Sequence, residues 1–433
     1  MRHISEQIEI AGGSQLQGQV RAPPSKSQTH RALIAASLSP EESKIAMPLV
    51  CEDTQATIAA VKSYGAKISS EDELLTVTGP EHIETPEDIV DCRESASTIR
   101  FVTPILSHAE GLSILTGGPS LRKRPMKPLI DSLGHLGVKC YSTHGDGHPP
   151  LVVFGGTYRG GETRIPGDVS SQFISGLLFS ASLATEKTSI QVATALESAP
   201  YVKMTIEILR EHGVRVDADA DFTSFAVRER QRVKPCDHII EGDYSSAAFL
   251  LAAGAITRSP ICVSRLRTSG STQGDKEILS ILRQMGVDMD VQSESVWIRS
   301  ANLRAAEIDA KDCPDLVPPV AAMACYASGV TRIRNAKRLK MKESNRLATL
   351  SCELRKMGAS IQETDDGLEI ADVSSLKGAN VASCGDHRVA MACSVAALGA
   401  KGVTTVQGAE CVTKSYPAFF DDLKSLGADI IGR

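Results

Sequence analysis

One short pattern recurs six times along the chain, and that repetition constrains the fold more than any other feature. Each copy reads as the end of an amphipathic helix, a glycine, then strand-like alternation: 61–68, 133–139, 209–216, 282–288, 354–361 and 423–430. The glycines stand at 65, 137, 213, 286, 358 and 427, so successive copies are 72, 76, 73, 72 and 69 residues apart. A glycine there suits the position just past a helix end, where the left-handed backbone would crowd a Cβ. The segment after the glycine alternates and doubles back, as in 214–219 with 224–228 and 287–291 with 295–299, which reads as a hairpin.

A second, more apolar helix precedes each amphipathic one. These helices open near Ser25, Ser95, Asp168, Asp243, Asp312 and Asp386. Bodies such as 247–256 and 389–400 are rich in Ala and Leu nearly all round, which implies burial on every side. The unit is therefore strand, buried helix, strand, amphipathic helix, hairpin, and six of them make an α/β protein. The sixth copy lacks a returning strand, while Gln7-Ile-Glu-Ile10 and Leu16-Gln-Gly-Gln-Val20 alternate without a unit of their own. Two domains of three repeats are expected: an inserted domain over 22–237, and a second over 1–21 plus 238–433 completed by the N-terminal strands.

Composition removes several function classes. With 42% hydrophobic and 23% charged residues, the chain can bury a core and is not disordered. A formal charge of −5 and only 4% aromatics leave neither a basic footprint nor stacking platforms for nucleic acid. The longest apolar runs, such as 247–256, fall short of the roughly 20 residues of a membrane span. Eleven cysteines occur without a C-x-x-C pair, the ten histidines show no ligand spacing, and residues 1–6 lack a secretory pattern. Reduced thiols in a cytoplasmic protein without bound metal are expected.

The buried helices start with Ser and Asp, and a helix start offers free N–H groups and partial positive charge. Such residues also serve as plain N-caps. Cations crowd these starts, however: Lys26 and Arg31; Arg100; Arg122, Lys123 and Arg124; Lys340, Lys342 and Arg346; Arg388; Lys414. Basic residues in a first turn oppose the helix dipole, so their repetition points to bound anions and to a small substrate carrying phosphate and carboxylate. Neither G-x-x-x-x-G-K-[ST] nor a convincing G-x-G-x-x-G occurs, so nucleotide hydrolysis and dinucleotide redox chemistry are not indicated. Asp315 and Glu343 stand among these cations. They read either as an acid–base pair tuned by the surrounding charge or as caps and surface ion pairs.

Six ordered motifs carry a resemblance: Pro24-Ser-Lys-Ser-Gln-Thr-His-Arg31, Leu121-Arg-Lys-Arg-Pro-Met126, Gly167-Asp-Val-Ser-Ser-Gln-Phe173, Lys342-Glu-Ser-Asn-Arg-Leu347, Gly385-Asp-His-Arg-Val-Ala-Met391 and Thr413-Lys-Ser-Tyr-Pro417. Together, over the whole chain, they resemble the 5-enolpyruvylshikimate-3-phosphate synthase family. The resemblance implies two domains of three inverted α/β units and a monomer without metal or organic cofactor. It implies transfer of the enolpyruvyl group of phosphoenolpyruvate to the 5-hydroxyl of shikimate-3-phosphate, with release of phosphate. Shikimate-3-phosphate would be held by Lys26, Ser27, Arg31, Ser170, Ser171, Gln172, Ser198, Asp315 and Lys342. Phosphoenolpyruvate would meet Lys26, Ala96, Arg124, Gln172, Arg346, Arg388 and Lys414. Asp315 would take the hydroxyl proton, and Glu343, with Lys26, would protonate the methylene carbon.

Three departures stand out. Where many family members read Asn-Ala-Gly-Thr, this chain has Glu94 and Ala96, and Arg338 replaces a common Asn. The methyl of Ala96 implies reduced sensitivity to glyphosate, the family inhibitor of the phosphoenolpyruvate pocket. The competing family, which adds enolpyruvate to UDP-N-acetylglucosamine, usually has Lys-Asn in place of Lys26-Ser27 and a loop Cys that 115–126 lacks. A non-catalytic anion binder would lose Asp315 or Glu343.

Overall fold

Each repeat folds as one four-stranded sheet with its helices, and the strand order is the same in all six sheets. In the second repeat, Val90–Asp91 pairs parallel with Leu112–Thr116. That strand pairs antiparallel with Leu151–Phe154, which in turn pairs antiparallel with Lys139–Ser142. The parallel step needs a crossover, and the buried helix Ala96–Ile105 supplies it. The six repeat glycines have φ values of 105°, 81°, 78°, 81°, 92° and 101°, the left-handed turn that ends each amphipathic helix. The computed structural model describes residues 5–229 and 231–432. Residues 1–4, which form part of the stretch read for a secretory pattern, lie outside the described residues, as do Arg230 and Arg433.

The chain forms two compact units, Pro24–Ile240 and Met1–Pro23 with Glu241–Arg433. Strand Gln7–Ala11 pairs antiparallel with both Val403–Gln407 and Ile430–Gly432. Gly18–Arg21 lies parallel to Ile261–Ser264. Both crossings fall two to three residues later than 21/22 and 237/238. The Ala22 N–H still donates to Ser264 O at 2.9 Å, extending the ladder of the unit that holds both chain ends. His238–Ile239 pairs parallel with Ser43–Ala46, giving the inserted unit's first sheet its outer strand.

Helices Tyr244–Thr257, Val317–Ala324 and His387–Leu398 pack on one another and are buried almost throughout. Their small residues allow this: three mutually packed helices leave no solvent face, so polar side chains would cost desolvation without partners. In the inserted unit, Ser171–Ala181 crosses Ala96–Ile105 so closely that a Cβ on Gly176 would stand 2.2 Å from Arg100 O. That glycine lets two helix starts lie side by side, and the side chains at those starts meet as a result. No helix among the described residues is long and apolar enough to cross a membrane.

Candidate active site

In the inserted unit, side-chain caps fix the helix starts. Ser25, Ser95 and Ser170 each accept a backbone N–H from the first turn of their helices, an arrangement worth about 1 kcal/mol each. Lys26, the first residue of Lys26–Ser37, reaches Asp53 Oδ2 at 2.8 Å. Ser27 presents its carbonyl to Arg31 Nη1 at 2.9 Å. Arg31 is buried between the rings of Phe101 and Tyr201, 5.3 and 5.8 Å away, and its Nε donates to Thr205 Oγ1. Its Nη2 has no hydrogen-bond partner among the described residues. Burial pulls this guanidinium down to about 10, the Tyr201 side chain opposing. A buried cation with an unused donor is costly, and a ligand anion would satisfy it.

Arg100 lies over the Phe173 ring and donates to Gln172 Oε1 at 2.8 Å and Ser170 Oγ at 3.3 Å. Gln172 Nε2 donates to Ser97 Oγ, completing a polar cluster with buried Ser171 beside it. Ser198 opens helix Ala199–Glu211 with φ 58°, ψ 39°. A serine in this left-handed region stores strain of order 1 kcal/mol or more. Ala96 is the first residue of Ala96–Ile105 and is buried. Glu94 accepts the Leu121 N–H at 2.8 Å and the Ser120 N–H at 3.3 Å. It therefore anchors the turn Leu121–Lys123 that ends on buried Arg124.

In the other unit, one guanidinium organises three carboxylates. Arg346, the first residue of helix Arg346–Lys356, is 1% exposed. Its Nε and Nη2 donate to Asp386 at 2.9 and 3.2 Å, its Nη1 to Asp315 Oδ1 at 3.1 Å, and its Nη2 to Glu343 Oε2 at 2.5 Å. Four of the five N–H donors of a guanidinium are thus engaged, leaving one on Nη1. Asp315 Oδ2 lies 3.0 Å from Arg388 Nη2, and Glu343 Oε1 lies 3.5 Å from Lys414 Nζ. Buried Asp386 also accepts Ser344 Oγ and caps the helix His387–Leu398 that carries Arg388.

Charge sets the protonation states here. Burial acts to raise the Asp315 carboxyl, but Arg388, Lys342 and Arg346 outweigh it and hold the group well below the usual range. Burial brings Lys342 down to about 8, with Asp315 opposing. Asp275, buried and accepting Ser245 Oγ, is pushed up to about 7 by desolvation and then by Asp315. Arg338 donates to Lys311 O, tying down the loop just ahead of Asp315.

Each unit therefore gathers its own share of the expected residues: Lys26, Ser27, Arg31, Ala96, Arg124, Ser170, Ser171, Gln172 and Ser198 in one, and Asp315, Lys342, Glu343, Arg346, Arg388 and Lys414 in the other. Asp53, Asp275 and Asp386 join them although no sequence pattern assigned their side chains a role in binding, and Arg100 joins them as one of the cations read at the helix starts. Of the three acids, Asp386 alone carried a signal, as a polar residue opening a buried helix beside Arg388.

Known proteins share this arrangement of chain. Residues 10–423 match the family model of EPSP synthase (3-phosphoshikimate 1-carboxyvinyltransferase). The chain is similar to the 3-phosphoshikimate 1-carboxyvinyltransferase of Methanocorpusculum labreanum, 44% identical over 423 residues, 97% of this chain and 99% of that protein. The Methanocaldococcus jannaschii enzyme of the same name is 42% identical over 420 residues, 96% of this chain and 97% of its own length. Among solved structures, EPSP synthase from Acinetobacter baumannii gives a TM-score of 0.81 at 25% identity, covering 98% of this chain and 99% of that one. The enolpyruvyl transferase NikO from Streptomyces tendae shares the fold, with a TM-score of 0.77, 21% identity and 98% of each chain covered. The chain belongs to the EPSP synthase family.

Proposed function

We propose that these residues transfer the enolpyruvyl group of phosphoenolpyruvate to the 5-hydroxyl of shikimate-3-phosphate, with release of inorganic phosphate. The observation that carries the reading is Arg346 bonded at once to Asp315, Glu343 and Asp386, with Arg388 and Lys414 on the outer carboxylate oxygens. Two carboxylates held by cations can serve as base and acid, and spare donors can take up substrate charge.

Asp315 removes the proton of the 5-hydroxyl, whose oxygen bonds to C2 of phosphoenolpyruvate. Glu343, with Lys26, delivers a proton to C3, and the double bond becomes a methyl-bearing tetrahedral intermediate. Loss of a C3 proton and cleavage of the C2–O bond to phosphate restore the double bond and release phosphate. In the free protein the cations hold Asp315 too low for a strong base. Anionic substrates neutralise Arg388 and Lys342 and so raise it. Ser27, Arg31, Ser170, Ser171, Gln172, Ser198 and Lys342 hold shikimate-3-phosphate. Arg124, Arg346, Arg388, Lys414, Lys26, Gln172 and the Ala96 backbone hold phosphoenolpyruvate.

Eleven free cysteines support a reducing, cytoplasmic setting. The family resemblance supports action as a monomer; light scattering tests this. A phosphate-release assay with shikimate-3-phosphate against UDP-N-acetylglucosamine as acceptor tests the function. Turnover with the first alone is expected; turnover with the second, or with neither, overturns the reading.

A further inference from the structure

Near the end of the inserted unit, helix Ala199–Glu211 meets strand His238–Ile239. The helix closes on Glu211 with His212 as its cap, and the strand is entered through Cys236-Asp237-His238. In an extended segment residues 236 and 238 point to one side, here toward the helix end. A carboxylate oxygen of Glu211, Sγ of Cys236 and a ring nitrogen of His238 all lie within 4.8 Å of one another. No spacing in the sequence announces this set, because 26 residues separate His212 from His238.

The hydrogen bonds behind His238 decide what its front can do. Lys234 O only accepts, so His212 Nδ1, 2.6 Å away, carries the proton. In a neutral ring His212 Nε2 is then the acceptor, and His238 Nε2, at 2.8 Å, is the donor. That leaves the lone pair of His238 Nδ1 facing Glu211 Oε2 at 3.4 Å. Two acceptors that face each other at this distance leave a place for a cation between them. A metal ion fits the pattern, since ligating histidines typically donate their far N–H to a fixed acceptor.

We propose that Glu211, Cys236 and His238 form a binding site for a divalent cation of the zinc class, with His212 as the residue that orients His238. Around such an ion, bonds of about 2.0–2.3 Å place tetrahedral ligands roughly 3.3–3.7 Å apart. The nitrogen–oxygen pair already meets this, and the thiol, bonded weakly to Asp237 O at 3.6 Å, moves in by about 1 Å. On binding, the Cys236 S–H bond breaks, the proton goes to solvent, and the thiolate pair bonds to the metal. Thiolate, carboxylate and neutral imidazole balance the two positive charges, and water takes the fourth position. Glu211, with its side chain 51% exposed, gives the ion a way in. The clip joins the helix end to the strand beside Ile240, the last residue of the unit.

The test uses the full chain without an affinity tag, reduced and stripped with chelator, then titrated with Co2+. One equivalent is expected to produce a thiolate-to-cobalt charge-transfer band, absent in Cys236→Ala although ten other cysteines remain. His212→Asn is expected to weaken binding 10- to 100-fold while keeping the band. Zn2+ at a hundredfold excess over Kd raises Tm by about 5 °C in the parent and not in Cys236→Ala. Should that variant fail to fold, Glu211→Gln, an exposed change, is expected to lower cobalt affinity at least tenfold. Absence of the band, its survival in Cys236→Ala, or unchanged affinity in Glu211→Gln overturns the proposal and leaves an imidazolium–carboxylate pair.

Discussion

Replacing Asp386 by Asn removes one charge from the centre of the carboxylate cluster while keeping the side chain's size and an acceptor for the helix cap. The Arg346 and Asp386 side chains are 1% and 0% exposed, so solvent does not screen the pair. The substitution discards a charged partner that receives bonds at 2.9 and 3.2 Å. Breaking a buried pair costs about 3–5 kcal/mol. The retained amide oxygen and the two other carboxylates on Arg346 put the expectation at the low end, about 3 kcal/mol. With an m-value of about 2 kcal/mol/M in urea, the midpoint falls by roughly 1.5 M. Trp297, the single tryptophan, lies in a strand of the same unit, so its fluorescence reports this unfolding. Activity falls as well, because Arg346 also sets Asp315 and Glu343; a misplacement of about 1 Å costs on the order of a hundredfold in kcat/KM. An unchanged midpoint together with unchanged kcat/KM would falsify the role assigned to Arg346.

Four further outcomes are expected. Arg31→Lys loses the buried, unpartnered Nη2 donor, so the KM for shikimate-3-phosphate should rise about 10- to 100-fold, as a charged hydrogen bond of about 1.5–3 kcal/mol implies; steady-state kinetics with a KM below twofold of the parent rejects this. Glu94→Ala frees the turn leading to Arg124, and the KM for phosphoenolpyruvate should rise about tenfold; an equal effect on both substrates would point to general loosening instead. The chain should resist glyphosate, and Ala96→Gly should lower the inhibitory concentration about tenfold or more by removing a crowding methyl; identical inhibition curves count against the placement of that methyl. Asp275 has a folded pKa near 7, raised above its unfolded value. Its contribution is therefore fully present below about pH 4 and is lost as pH climbs toward 7. The urea midpoint of the parent should drop relative to Asp275→Asn across that window and run parallel outside it. A constant difference at every pH contradicts the burial argument.

The repeat was legible because local rules write it. A glycine that must turn left-handed ends each amphipathic helix, and an Ala- and Leu-rich run must be buried, so the six-unit α/β organisation follows from periodicity and helix-end chemistry. Cations at helix starts were legible for the same reason: they oppose a dipole that every helix carries. The partners of those cations were not. Asp53 meets Lys26 from the other helix of the same repeat and Asp386 meets Arg346 from the next repeat, through contacts that no local rule links. Glu94 shows the same limit: in the sequence it is a bare departure from the family pattern beside Ala96, and in the fold it caps the turn before Arg124.

The repeat, the buried helices and the family to which the residue pattern belongs are thus properties of the sequence alone. Long-range packing was needed to make Arg346 spend most of its donors on three carboxylates, to turn Nδ1 of His238 toward Glu211, and to complete with His238–Ile239 a sheet begun by Ser43–Ala46. The physical reason is the range of the forces. Helix ends and amphipathic periods are fixed within a few residues, whereas charge pairing and desolvation depend on neighbours that only packing brings together.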